Sequence, residues 1–182
     1  MKKAEARKIF KEERLALSPD EREKRSQQIL DNLVGLTDLS GKKVSIFLPI
    51  ERLQEINTWK IIEHVNAQFI LPVVQKNELK HILFESEEQL RVSDWGIPEP
   101  QYGKEIDPTE LDFVLVPLLA VDMAGNRVGY GAGFYDNFLK SCSPECTFIG
   151  LSYFEPVEYI QDFHQNDIPL HFCVSPNSVY KF

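Results

Sequence analysis

The sequence predicts a single α/β domain over residues 1–182, with a mostly parallel central sheet and helices on both of its faces. Three observations predict it. A chain of 182 residues suits one sizeable core and is short for two. Short apolar runs bounded by turn residues recur from residue 44 to residue 174, as buried strands do. Helical patterns lie between these runs, and such alternation is typical of an α/β sheet.

The first two elements are predicted to be helices. Residues 2–17 place most of their apolar side chains on one helical face, which predicts an amphipathic helix. Ser18 then supplies a capping hydroxyl, Pro19 stands at a first helical position, and Glu21 completes a capping box. A second helix therefore follows and is expected to end near Gly35.

The rest of the chain supplies the strands. The apolar runs lie at residues 44–48, 69–74, 81–84, 113–117, 147–151 and 172–174. Helices are predicted at residues 57–65 and 133–139. Because ligands of such sheets bind at the carboxyl ends of the strands, the segments that follow each strand are the candidates for chemistry.

Composition and charge exclude several classes of function. A net charge of −8 and a pI near 5.1 argue against nucleic acids or an anionic membrane as partners. No apolar run has the length of a membrane span, and the first residues lead into a charged helix, so we expect a cytoplasmic protein. Three cysteines without zinc spacing fit a reducing compartment, as structural thiols or, alternatively, one catalytic thiol. We expect a monomer.

The segment most informative about function is a glycine-rich loop after the run 113–117. Gly129, Gly131 and Gly133 alternate, so backbone N–H groups can turn toward one concavity without a β-carbon in the way. The following helix end and Arg127 add positive charge, which suits a polyphosphate, and Asp136 is placed to hold Mg²⁺. The loop is neither a Walker P-loop nor a dinucleotide fingerprint. The alternative is a flexible turn whose glycines only relieve steric crowding.

With these residues, segment 112–136 resembles the signature of the 5-formyltetrahydrofolate cyclo-ligase family. That signature is a strand ending in Val-Pro, an Asp, and then Gly-x-Arg-x-Gly-x-Gly-x-Gly-Tyr-Tyr-Asp. The resemblance extends to the Lys-x-x-x-Arg, Glu-Ile-Asn-Thr, Trp-Gly-Ile-Pro-Glu-Pro and Asn-Asp-Ile-Pro segments, and so covers nearly the whole chain. It implies ATP-dependent closure of 5-formyltetrahydrofolate to 5,10-methenyltetrahydrofolate, through phosphorylation of the formyl oxygen, with Mg²⁺ as cofactor.

The resemblance also implies roles for individual residues. The expected ATP-binding residues are Lys3, Arg7, Arg127, Gly129, Tyr130, Gly131, Ala132, Gly133, Phe134 and Tyr135. The expected folate-binding residues are Arg7, Ile50, Glu55, Trp95, Tyr130 and Phe134. Asp136 and Asp167 are expected to hold the metal, and Arg127, Tyr135 and Asp136 are expected to be catalytic.

Taken without the family, several of these residues have simpler explanations. Lys3 and Arg7 share one helical stripe with Lys11 and Arg14, and such a stripe is usually solvated; we assign Lys11 and Arg14 to solvent. Glu55 stands just before Asn57, a candidate helix cap, and can simply favour the helix dipole.

Trp95 and the carboxyl-terminal acids also have alternatives. Trp95 can serve as core or lid packing. Asp162, His164 and Asp167 gather in a segment that can simply be an acidic loop, and we assign His164 to the surface. Among the acids, only Asp167 is carried into the expected metal set, on the resemblance.

The loop also departs from the family pattern. Ala132 stands where Gly or Lys is usual, Phe134 where Tyr is usual, and Asn137 where many bacterial members carry Arg; His171 replaces an expected acid. Two rival functions remain open from sequence: another phosphate- or nucleotide-handling enzyme on a similar sheet, and a non-catalytic folate-binding protein.

Overall fold

The computed structural model of the protein describes residues 1–75, 78–93, 96–164 and 166–182. Within them the α-helices are Lys3–Ala16 (α1), Pro19–Leu36 (α2), Trp59–His64 (α3) and Phe134–Ser141 (α4). The strands are Lys43–Ser45 (β1), Gln68–Gln75 (β2), Glu78–Leu83 (β3), Leu90–Val92 (β4), Pro98–Pro100 (β5), Phe113–Pro117 (β6), Ala120–Val121 (β7), Arg127–Val128 (β8), Thr147–Leu151 (β9), Phe172–Val174 (β10) and Val179–Lys181 (β11). Short 3-10 turns lie at Glu51–Leu53, Glu87–Gln89 and Pro108–Glu110.

Seven strands form the central sheet, in the order β11-β10-β9-β6-β1-β2-β3. The five inner strands are parallel, while β3 and β11 pair antiparallel at the two edges. The prediction of a mostly parallel sheet is therefore confirmed. β4 with β5, and β7 with β8, form two separate antiparallel ribbons.

The first strand is shorter than the predicted run 44–48. Ile46 still donates its N–H to the Ile70 carbonyl at 2.9 Å, but the next carbonyl, that of Phe47, accepts from the Thr58 hydroxyl at 2.6 Å. A side chain thus replaces the neighbouring strand as the hydrogen-bond partner. The chain leaves the sheet at this point and turns toward the site described below.

Hydrophobic cores cover both faces of the sheet. Leu115 of β6 packs with Leu33 of α2 and Ile61 of α3, whereas its neighbours Val114 and Val116 pack with α4 on the other face. Alternation of this kind follows from the two-residue period of a strand. The predicted three-layer arrangement, with helices on both faces, is confirmed.

The first two helices lie close to their predicted bounds. The capping box at the start of α2 is formed: the Glu21 N–H donates to the Ser18 hydroxyl at 3.2 Å, and the Ser18 N–H donates to the Glu21 carboxylate at 2.9 Å. In α1, Ala6 and Phe10 are buried against Ala120 and Val128 of the β7–β8 ribbon. This contact places α1 beside the glycine-rich loop that follows β8.

Among the described helices, none combines the length and the apolar character that a membrane crossing requires. All three cysteines are free thiols, with Cys146 and Cys173 buried. Cys142 and Cys146 lie at the end of α4 and just after it, on the side of the sheet away from α2.

Candidate active site

A cleft of about 1000 Å³ opens at the carboxyl ends of β1 and β6. It is lined by every predicted site residue that the structure describes: Lys3, Arg7, Ile50, Glu55, Arg127, Gly129, Tyr130, Gly131, Ala132, Gly133, Phe134, Tyr135, Asp136 and Asp167. Trp95 lies outside the described residues. Residues far apart in the sequence thus come together in one place.

The glycine-rich loop forms one wall of the cleft. Gly131 and Gly133 have φ values of 100° and 75°, a region that glycine enters without a steric penalty, and Gly133 is the residue from which α4 begins. Gly129 does not have a positive φ, and a β-carbon there would meet no atom within 4 Å. Two of the three alternating glycines therefore have backbone conformations that favour glycine, and Gly129 does not.

Arg127 is the most enclosed cation of the cleft. It is 8% exposed and donates to the Asp136 carboxylate and to the backbone carbonyl of Ile168. One guanidinium thereby joins the start of α4 to the segment that precedes β10. Because Arg remains protonated, this position carries a fixed positive charge.

A second ion pair lies at the start of α1. The Lys3 ammonium bonds the Asp167 carboxylate, which also accepts the His164 N–H at 2.7 Å. Partial burial raises the pKa of Asp167, but these two hydrogen bonds outweigh it, and the net pKa is lowered. The Lys3 backbone N–H also donates to Asp162 at 2.6 Å, so the start of α1 is tied to the carboxyl-terminal loop.

Arg7 of α1 contacts the backbone of the glycine-rich loop. Its Nε donates to the Gly129 carbonyl at 2.9 Å, and its guanidinium lies within 4 Å of the site where a β-carbon on Gly131 would stand. This side chain therefore contacts the loop backbone directly and lines the cleft with a positive charge.

Glu55 is a buried acidic residue of the cleft. Its Oε2 accepts the Ile50 N–H at 2.9 Å, and its Oε1 accepts the Tyr130 hydroxyl. Burial raises the pKa of Glu55, and the hydrogen bonds from Tyr130 and Ile50 only partly offset it. The Tyr153 hydroxyl fixes the Glu55 backbone carbonyl at 3.1 Å.

The simpler explanation of Glu55 as a helix-dipole residue receives no support. The residue from which α3 begins is Thr58, not Asn57, and neither carboxylate oxygen of Glu55 bonds the helix. The Thr58 hydroxyl points away to the Phe47 carbonyl. Glu55 instead faces the cleft.

The assignment of Arg14 to solvent is wrong. Arg14 is 5% exposed; it donates to the Tyr130 hydroxyl at 2.6 Å and to the Leu118 carbonyl at 2.5 Å. A sequence signal for this was available, because Arg14 stands four residues after Phe10 and eight after Ala6, on the apolar face of α1. Lys11 is exposed, as predicted.

Two aromatic side chains at the start of α4 also line the cleft. Tyr135 is half-buried and meets Phe138 edge-on, with ring centroids 5.9 Å apart. Burial raises the pKa of Tyr135, so its hydroxyl stays protonated at neutral pH and is a donor. Phe134 is half-buried and adds an apolar surface.

Sequence reasoning also missed Glu99 in β5. Glu99 lines the cleft and is 7% exposed; burial raises its pKa, and a hydrogen bond from the Val74 backbone N–H partly offsets this. The cleft therefore contains two buried carboxyl groups, Glu55 and Glu99. A Glu between two prolines gives no periodic signal that would predict its burial.

Within residues 1–75, 78–93, 96–164 and 166–182, no group of three or more His, Cys, Asp or Glu side chains is arranged to hold a metal ion. The two acids expected at a metal, Asp136 and Asp167, both line the cleft, and each is paired with a cationic side chain. Mg²⁺ is commonly held by one or two carboxylates together with substrate phosphates. The donor set fits such a shared site and not an all-protein cage.

Comparisons with known proteins agree with the sequence resemblance. The profile of the 5-formyltetrahydrofolate cyclo-ligase family matches residues 1–160. The 5-formyltetrahydrofolate cyclo-ligase of Escherichia coli K12 is 26% identical, over 96% of this chain and the whole of that protein. The Mus musculus enzyme of the same name is 29% identical, over 70% of this chain and 68% of its own length.

Two solved structures share the fold. The Aquifex aeolicus 5,10-methenyltetrahydrofolate synthetase superposes with a TM-score of 0.86 and 32% identity, and the alignment covers 100% of this chain and 93% of the other. The Mycoplasma pneumoniae enzyme of that name gives a TM-score of 0.76 at 22% identity, covering 97% and 99% of the two chains. The second likeness bears on the fold alone.

Proposed function

Because the chain belongs to the 5-formyltetrahydrofolate cyclo-ligase family, it is an ATP-dependent ligase that converts 5-formyltetrahydrofolate to 5,10-methenyltetrahydrofolate, and we propose that the cleft described above carries out this reaction. The proposal rests on one observation: residues from distant parts of the sequence line a single cleft. An anion-binding loop with fixed cations forms one side of a single cleft, and a buried carboxylate forms the other. The two substrates can thus meet in one cavity.

The nucleotide side of the cleft is the glycine-rich loop. Gly131 and Gly133 give the backbone the turns that let N–H groups face a phosphate, and the amino-terminal end of α4 adds its positive dipole end. Lys3, Arg7 and Arg127 supply the cations. The backbone from residue 129 to residue 135 would follow the triphosphate, with Ala132 lining the same wall.

The folate side of the cleft is the part lined by apolar and aromatic side chains and by Glu55. A pterin ring presents N–H donors that a carboxylate can accept as a pair, and Glu55 offers such a carboxylate from a fixed position. Ile50, Tyr130 and Phe134 supply the surfaces against which a flat ring packs, and Arg7 approaches from α1. Trp95 is carried as a further ring contact on the resemblance alone.

The chemistry needs an activated oxygen and no nucleophile on the protein. The formyl oxygen attacks the γ-phosphorus of ATP, and ADP leaves. The neighbouring folate N–H nitrogen then attacks the formyl carbon and gives up its proton to the departing phosphate or to solvent, and the oxygen leaves as phosphate with the methenyl ring closed. The protein's contribution is to align the two substrates and to stabilise the negative charge of the transferring phosphoryl group. We assign the second task to Arg127 and the protonated Tyr135 hydroxyl, which both line the cleft.

Mg²⁺ is proposed as the cofactor, held by Asp136 and Asp167 together with the nucleotide's phosphates. When bound, such an ion neutralises phosphate charge. The two carboxylates line the same cleft as the glycine-rich loop. Arg127 links them, because it donates both to Asp136 and to the backbone carbonyl of Ile168, the residue after Asp167.

We further propose that residues 1–182 act as one unit, as a cytoplasmic monomer. The seven-stranded sheet, with β3 and β11 at its edges, draws its strands from both halves of the chain, which favours a single cooperative domain. A net charge of −8 favours small-molecule substrates over nucleic acid.

The test is turnover in the presence of ATP, Mg²⁺ and 5-formyltetrahydrofolate, followed by the near-ultraviolet absorbance of the methenyl product. The wild-type protein should form product only with ATP, and Arg127→Ala and Asp136→Asn should each lower the rate by at least about a hundredfold, the scale of a lost charge-stabilising group. Lys11→Gln, an exposed change on α1, is the matched control. Folate binding without ATP hydrolysis would instead support the non-catalytic alternative, and unchanged turnover in both variants would remove the assigned roles.

A further inference from the structure

The buried arginine of α1 faces a residue of the folate side. Arg14 Nη1 donates to the Tyr130 hydroxyl at 2.6 Å and lies 4.0 Å from Glu55 Oε1, while the Tyr130 hydroxyl bonds the same Oε1. The Arg14 and Glu55 side chains are 6% and 5% exposed, so solvent screens this contact weakly. The three side chains form a connected series from α1 to the cleft.

The direction of each hydrogen bond in this series is determined by chemistry. An arginine has only donors, so the Tyr130 oxygen accepts from Arg14 and its own proton must point to Glu55. Oε2 of Glu55 is likewise occupied by the Ile50 N–H. Each oxygen of the carboxylate thus has one partner from the protein, and its remaining lone pairs are left for a bound donor.

We infer that Arg14 is a positioning residue for folate binding, which keeps Glu55 ionised and oriented through Tyr130. The inference rests on the proposed role of Glu55. The second Arg14 nitrogen is anchored on the Leu118 carbonyl at 2.5 Å, directly after β6, so the guanidinium is held in place by the sheet. Arg14 Nε is buried and has no hydrogen-bond partner among the described residues.

The charged and titratable groups that face Glu55 come from several elements. Arg14 of α1 is the cation next to it, Tyr130 of the loop after β8 is its donor, and Tyr135 of α4 is in electrostatic reach. Tyr153 bonds its backbone carbonyl. Burial raises the pKa of Glu55, and Tyr130, Ile50 and Arg14 each oppose that rise.

The sign of the expected pH dependence follows from these contributions. A folate that needs the ionised carboxylate loses affinity as the pH falls through the pKa of Glu55. Removal of the Arg14 charge raises that pKa further, so the loss begins at a higher pH in the variant. Measured at about pH 6 and about pH 8.5, Arg14→Gln should therefore weaken folate affinity by more than about twofold at the lower pH and by clearly less at the higher pH.

The experiment measures KM for 5-formyltetrahydrofolate, kcat, and the dissociation constant of a non-hydrolysable ATP analogue at both pH values. Arg14→Gln should raise the folate KM with a much smaller change in kcat, and should leave the nucleotide constant within about twofold. Arg14→Lys keeps the charge and should recover most of the affinity at low pH. Lys11→Gln removes the same charge from the exposed face of α1 and should change nothing.

Four outcomes decide the inference. If the folate KM of Arg14→Gln stays within about twofold of wild type at low pH, the inference is overturned. It is also overturned if Arg14→Gln weakens folate binding equally at both pH values and weakens binding of the ATP analogue to the same extent. Should Arg14→Gln fail to fold, Tyr130→Phe decides, because it removes the hydroxyl that joins Arg14 to Glu55 Oε1 and leaves only the direct contact at 4.0 Å; an unshifted pH profile then overturns the inference. Glu55→Gln distinguishes a failure of this inference from a failure of the proposed function: if it leaves the folate KM unchanged, the proposed role of Glu55 itself fails.

Discussion

The shape of the glycine-rich loop leads to a prediction about two glycines that the sequence does not distinguish. Gly131 has a φ of 100°, whereas Gly129 does not have a positive φ and has open space where a β-carbon would stand. A β-carbon on Gly131 would meet the Arg7 guanidinium at 3.5–3.6 Å, an ordinary contact. The cost of Gly131→Ala is therefore backbone strain and not a clash.

That strain can be converted into an affinity. A left-handed conformation costs a non-glycine residue roughly 1–2 kcal/mol. Gly131 is exposed, so the alanine loop can relax in the free protein and must regain the strained shape when it binds phosphates. Since about 1.4 kcal/mol corresponds to tenfold, Gly131→Ala should weaken nucleotide binding roughly 5- to 30-fold. Gly129→Ala should stay within about twofold, because it introduces no strain.

The assay is calorimetric titration of both variants with ADP or a non-hydrolysable ATP analogue, alongside thermal unfolding. The unfolding temperature should change little in either variant. Gly131→Asn should recover part of the affinity, since asparagine enters the left-handed region more easily than alanine. Equal affinities for the two alanine variants would show that the loop does not bind phosphates in this shape.

Two further predictions concern packing and charge. Gly150→Ala places a β-carbon 2.5 Å from the Leu170 side chain and 2.6 Å from that of Leu118. It should therefore destabilise the fold by about 1–3 kcal/mol and lower the unfolding temperature by about 2–12 °C. An unchanged unfolding temperature would contradict this. Arg127→Met and Asp136→Asn should be non-additive in urea unfolding by about 1–3 kcal/mol, because each removes the same ion pair; additive losses would show that the pair contributes no coupling.

Most of the fold could be predicted because local patterns and tertiary structure agree. The capping box at Ser18 and the apolar run of β6 are local signals, and packing preserves both. The end of β1 was missed because it depends on a non-local contact, the Thr58 hydroxyl that takes the Phe47 carbonyl away from the sheet. No window of the sequence contains that information.

The candidate site divides in the same way. The residues of the loop and of the Lys3–Arg7 stripe could be proposed from a resemblance, since they stand at fixed spacings. Glu99 could not, because its burial depends on elements distant in sequence. The burial of Arg14 does have a local signal, its place on the apolar face of α1, but the groups that it contacts, Tyr130 and Leu118, are distant in sequence.

The ion pairs of the cleft bear on which form of the nucleotide the cleft can bind. Lys3 is paired with Asp167, and Arg127 with Asp136, so two of the three proposed phosphate-binding cations are each paired with a proposed metal-binding carboxylate, while Arg7 donates to the Gly129 carbonyl. A nucleotide alone would have to displace the carboxylates and leave them unpaired, at a cost that grows with burial. A magnesium–nucleotide complex brings anions for the two cations together with a cation for the two carboxylates. Both pairs could then exchange partners at once with no charge left unpaired, so on the proposed assignments we expect the cleft to favour the complex over the free nucleotide.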